Sequence, residues 1–105
     1  MSASFDDRRK GFEHKWAHDA EQLFRVEARR NRLVGIWAAM QKGLTGEAVE
    51  VFASAVIAAD MGEKSDEDVF RKLRSELDAD KYPDALIRAK MAEYLDQAEA
   101  EVLKG

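Results

Sequence analysis

Apolar positions recur at helical spacing along nearly the whole chain. Phe5, Phe12, Trp16, Ala20 and Leu23 follow one another at intervals of 7, 4, 4 and 3. At 100° per residue they fall on one stripe. The stripe continues through Val26 or Glu27 to Leu33, Val34, Trp37 and Met40, with the charged run EARRNR (Glu27 to Arg32) interrupting it. Lys42 and Gly43 supply a basic last turn and a stop, so the first helical segment is expected from about Phe5 to Lys42. Thr45 is placed to cap a second helix, with Glu47 in its first turn, Val49, Phe52, Val56 and Ala59 on its apolar face, and Gly62 at its end. Ser65 opens a third, where Asp68 can reach back in a box-like arrangement before Val69, Phe70, Leu73 and Leu77. Pro83 stands near the start of a fourth, whose face reads Ile87, Met91, Tyr94, Leu95, Ala98 and Val102. The pattern predicts an all-α four-helix bundle joined by short connections.

The segments are unequal. A continuous helix over residues 5–42 would be about 57 Å long, against ~22–33 Å for each of the others. A compact domain of about 100 residues is only ~34 Å across. The leading segment therefore breaks or projects. Gly11 costs ~1 kcal/mol relative to Ala inside a helix, and isolated helices under about 12–15 residues are marginal in water. Residues 1–17 are accordingly expected to form a projecting, partly flexible N-terminal segment when the protein is alone, and residues 18–105 the bundle domain. Three aromatics on such an arm are costly to leave in water. Either the arm folds back on the bundle, or Phe5, Phe12 and Trp16 dock into a partner's groove, each contributing ~1.5–3 kcal/mol before ordering costs. Asp6, Asp7, Arg8, Arg9, Lys10, Glu13 and Lys15 would then form the polar rim that sets register.

Charge changes this picture mildly. Residues 1–32 carry a net charge of +2 and residues 33–105 one of −6, giving −4 for the 105 residues. No broad positive field is present, so nucleic acid is not an expected partner. The chain has no cysteine, which excludes disulfides and thiolate metal sites. Its longest nearly uncharged apolar run, Leu33 to Met40, is far short of the ~20 residues of a membrane span. The N-terminus lacks a secretory h-region, so the expected location is the cytoplasm, without direct membrane insertion.

Candidate chemistry is sparse. His14 and His18 share a helix face, but HKWAH lacks the glutamate of HExxH and has no third ligand, so no metal is expected. The two imidazoles are candidates for pH sensing in the arm. The arginines of ARRNR point around much of a helix, which favours pairing with the acidic later helices. Arg29 and Arg30, with Lys42, are the candidate nucleotide contacts if ADP or ATP binds. No phosphate loop, nucleophile elbow or paired inward carboxylates appear, so neither a cofactor nor enzymatic activity is expected. A small-ligand binding bundle and a general helix adaptor remain the alternative functions.

The stretches FDDRRKGFEHKWAHD and ARRNRLVGIWAAMQKG, with SDEDVFRKL and the late IRAKM, resemble the zeta subunit of α-proteobacterial F-type ATP synthases. The resemblance covers essentially the whole chain, with Arg9, Gly11 and Trp16 as departures inside the arm. It implies a four-helix inhibitor of ATP hydrolysis, a monomer when free, peripheral on the cytoplasmic side of the inner membrane. Its N-terminal segment would wedge into the α/β catalytic interface and reach the γ rotor stalk. Phe5, Asp6, Asp7, Arg8, Arg9, Phe12, Lys15 and Trp16 would then be the partner-binding residues.

Overall fold

A computed structural model describes residues 20–63 and 66–104. Four helices make up the fold: α1 Ala20–Gln41, α2 Glu47–Ala59, α3 Glu67–Glu76 and α4 Asp84–Lys104. The architecture is all-α, as the periodicity predicts, with no strand among the described residues. The arm expected over residues 1–17 lies outside the described residues.

Short connections turn each helix back on its neighbour. α1 ends in a Schellman turn: Gly43, at φ 81°, donates to the Met40 carbonyl at 3.0 Å, and Leu44 donates to that of Ala39 at 3.0 Å. Leu44 then packs against the core, which fixes the exit angle. Thr45 does not cap α2. Gly46, at φ 59° and ψ −134°, stands at that boundary without a side-chain cap, and Thr45 contributes its carbonyl to the Ala48 N–H instead. Ser65 falls outside the described residues, and α3 is entered through Asp66 in the left-handed region with no side-chain cap. Asp68, the expected partner of Ser65 in the capping box, clamps the preceding loop. Pro83 does open α4, its carbonyl accepting from Leu86 and Ile87.

The main core joins Val34, Ala38 and Ala39 of α1 to Phe52 and Val56 of α2, Val69, Phe70 and Leu73 of α3, Leu77 just beyond it, and Ile87 and Met91 of α4. These are largely the periodic positions of the sequence. Small residues let α1 and α2 approach closely. A Cβ on Gly35 would lie 3.0 Å from the Ala53 Cα and 3.2 Å from the Val56 Cβ. Gly35 is thus a packing glycine, and its helix-propensity cost of ~1 kcal/mol is offset by that contact.

Two predicted core positions of α1 are not buried. Leu23 is 41% and Met40 63% exposed. Leu23 adjoins the exposed Phe24, and Met40 stands on the outward side of the helix while its neighbour Ala39 is fully buried. A second, smaller cluster holds Val26 against Ala98, flanked by Leu33, Leu95, Val102 and Leu103. It covers one side of the N-terminal half of α1 with the C-terminal half of α4.

Candidate functional site

Between the two apolar clusters α1 buries polar groups. Arg30 and Asn31 are 2% and 1% exposed. Val26, Arg30 and Val34 stand four apart, which puts Arg30 on the buried stripe itself. The Arg30 Nε donates to Asn31 Oδ1 at 2.6 Å, and its Nη1 to Asp66 Oδ2 at 3.1 Å. Among the described residues its Nη2 is buried without an acceptor, at a desolvation cost of about 1–3 kcal/mol. Asn31 Nδ2 donates in turn to Asp60 Oδ2 at 2.9 Å.

The loop after α2 is tied to this layer. Asp68 accepts backbone N–H bonds from Met61, Glu63 and Val69. Burial pushes its carboxyl up, but those N–H groups outweigh the burial and hold it below its ordinary value. Asp60 accepts from its own loop at Gly62. Carboxylate oxygens of Asp60, Asp66 and Asp68 all lie within 4.8 Å of one another. Six- and two-residue spacings across a loop follow no helical period, so nothing in the sequence pattern announces the meeting. Each oxygen set already serves Asn31, Arg30 or the backbone, so the cluster acts as the lock of the α2–α3 loop onto α1. Glu27 stands beside it. Burial first, and then the charges of Asp66 and Asp60, raise its pKa above the ordinary carboxylate value, with Arg30 opposing them.

The Asn31 flank of this layer opens into a cavity of about 250 Å³, bounded by Phe24, Glu27, Ala28 and Asn31 of α1 and by Ile57 and Asp60 at the end of α2. Phe24 is 70% exposed and Met61, on the adjoining loop, 79%.

The predicted site residues fall into two groups. Phe5, Asp6, Asp7, Arg8, Arg9, Phe12, Lys15 and Trp16, and the pair His14 and His18, all lie outside the described residues. Arg29, Arg30 and Lys42 are described and do not converge. Arg29 Nε meets Glu101 of α4 at 2.6 Å, and hydrogen bonds from Gln97 first and then Arg29 hold the Glu101 carboxyl below its usual range. Arg30 is buried against Asp66. Lys42, twelve residues further along the chain, shares Glu76 with Lys72, both at 2.9 Å. Arg32, between them, meets Glu50 of α2 at 2.9 Å. The ARRNR run thus ties α1 to each of the later elements around it.

The family model described as ATPase inhibitor subunit zeta matches residues 1–101. The chain belongs to this family. The match takes in the four helices almost entirely, and it includes the N-terminal segment that precedes them. No curated protein matches the chain. Members of an inhibitor-subunit family regulate an ATPase, which agrees with a bundle whose buried polar residues form structural ties. Among the described residues, no helix is long and apolar enough to cross a membrane.

Proposed function

We propose that the chain restrains ATP hydrolysis by an F-type ATP synthase, using residues 1–17 as a wedge at the α/β catalytic interface and residues 18–105 as the body that holds the wedge in place. The observation that carries this reading is the reach of the family match through residues 1–17 as well as the bundle. The aromatic stripe Phe5, Phe12, Trp16 supplies anchors, and Arg8, Arg9, Lys15, Asp6 and Asp7 supply the charged rim. A segment that orders only in the cleft meets its entropy cost on binding, so it engages reversibly. The catalytic interface changes shape as the γ stalk turns. A wedge that fits one shape lowers that rotary state alone and halts the cycle there. The body raises the wedge's local concentration near the head. The site of action is the cytoplasmic face of the membrane that carries the synthase.

The experiment is an ATPase assay with the isolated cognate head and a chain lacking residues 1–17. The shortened protein is expected to keep its helical circular dichroism and lose inhibition. Full inhibition by it overturns the wedge. A nucleotide role for Arg29, Arg30 and Lys42 would require each to leave its carboxylate partner. Titration calorimetry with ADP and ATP decides it, heat of binding supporting it and its absence at millimolar ligand closing it.

A further inference from the structure

The groove beside Phe24 owes its existence to a mismatch in helix length. α1 has 22 residues and α2 has 13. At 1.5 Å per residue they are about 33 and 20 Å long. Asp60, just past the end of α2, bonds Asn31, so α1 runs on from there back to Ala20 beyond the end of α2. Phe24 and Glu27, three residues apart on that stretch, line one groove with Asp60. Among the described residues no hydrogen-bond donor reaches Glu27, and burial first, then Asp66 and Asp60, raise its pKa. The arginines nearest in sequence are committed elsewhere: Arg25 to Glu21, Arg29 to Glu101 and Arg30 to Asp66. The groove therefore joins an open aromatic face to a carboxylate that lacks a cation.

The molecule shows elsewhere what such a pair takes up. On α3, Glu67 and Phe70 are likewise three residues apart. Arg88 of α4 lies over the Phe70 ring, its Cζ 3.8 Å from the centroid, and its Nη1 and Nη2 donate to the Glu67 carboxylate at 2.9 and 3.2 Å. A planar guanidinium can stack and fork onto a carboxylate at once, which an ammonium cannot. The two lysines over Phe52 stand farther off, at 5.7 and 5.8 Å. We propose that Phe24, Glu27 and Asp60 receive an arginine side chain of the synthase head in the same manner, its aliphatic stem lying along Ala28 and Ile57. At about 250 Å³ the groove suits an inserted side chain better than a whole small-molecule ligand, whose pockets run ~300–1,000 Å³. Occupants closer at hand fit less well. Residues 1–19 hold four basic and four acidic side chains, so they bring no net charge to an acidic rim. A second copy paired groove to groove about a two-fold axis would set that rim against itself. The head is the source because the segment assigned to its cleft joins α1 at Ala20, about 6 Å before Phe24. With that segment in the cleft, the groove stands at the cleft's mouth. The source of the arginine rests on the proposed function. The arginine site itself does not.

Two measurements on the full chain test the site and its source separately. In the first, the isotope-labelled protein is titrated with arginine blocked at both ends as the acetyl amide, and with the blocked citrulline, its neutral isostere. Saturable amide shifts are expected at Phe24, Glu27, Ala28 and Gly62 with arginine, and binding at least about tenfold weaker with citrulline. Glu27→Gln and Phe24→Leu, each at a position not fully buried, are expected to weaken arginine binding by about the same factor while leaving the remaining spectrum in place. No saturable shift at the groove, equal shifts with citrulline, or an undiminished response in Glu27→Gln overturns the site. In the second, Glu27→Gln is expected to raise the half-inhibitory concentration in the ATPase assay by about tenfold. An unchanged or lowered value overturns the synthase as the source of the arginine. Should the unaltered chain prove not to inhibit at all, the wedge reading and the synthase as source fall together, and the titration still decides the arginine site.

Discussion

The two halves of α1 are built on opposite principles. The C-terminal half, from Val34 to Ala39, is surrounded by three other helices and buries small apolar side chains against them. The N-terminal half is flanked by α4 on one side, buries Arg30 and Asn31 where the halves meet, and leaves Phe24 in the open. One half is held by shape and the other by specific bonds. Shape-held regions lose stability by degrees as atoms are removed. A bond-held region depends on a few groups, and its failure frees a whole loop, here the one from Asp60 to Asp68. The half with fewer neighbours is also the one that carries the segment assigned to inhibition.

The comparison can be broken most strongly in the apolar half. Leu73, fully buried beneath it, is expected to cost about 2–5 kcal/mol when changed to Ala, read from the urea midpoint at unchanged slope. Next is the polar layer. Asp66→Asn leaves the Arg30 guanidinium buried without its carboxylate and is expected to cost about 3 kcal/mol, with hydrogen exchange accelerated first in residues 60–63. Uniform acceleration across all four helices would show that the layer is no separate unit. Gly35→Ala forces the added methyl group against Ala53 and is expected to cost about 1–2 kcal/mol despite the better helix propensity, seen as a lower melting temperature.

The smallest effect is electrostatic. Glu27 has a raised pKa in the folded state, so above that pKa its ionised form opposes folding, and protonation relieves the penalty. Glu27→Gln is expected to stabilise by about 0.5 kcal/mol at pH 7 and to lose that advantage below the unfolded value of 4.5. Asp68 behaves in the opposite sense. Its depressed pKa contributes stability that is present above its unfolded value of 3.8 and lost as the pH falls through the lower folded value. A stability profile in which Glu27→Gln gains at pH 4 and not at pH 7 would reverse the assignment.

Much of this architecture is legible in the chain. The four helices, the Gly43 stop, the Pro83 start and the inward faces of α3 and α4 follow from a 3.6-residue period and local backbone preferences, which act between near neighbours. The membership in an inhibitor family is likewise carried by the order of residues from 1 to 101. Helix caps were less legible, because Thr45 and Gly46 both suit the start of α2 and only the approach from the Gly43 turn selects between them. The candidate site was least so. Arg30 signals burial by standing between Val26 and Val34, yet its partner Asp66 is 36 residues away. The gathering of Asp60, Asp66 and Asp68 depends on how a loop crosses α1, which no spacing encodes.

What the order of amino acids determined alone is which segments coil and which face of each is apolar, since both are set within a turn or two of helix. What the tertiary structure alone decided is where coverage stops. α2 ends some nine residues short of the length of α1, so the exposure of Phe24, the open groove and the burial of a charged residue at the junction all arise from where one helix happens to finish beside another.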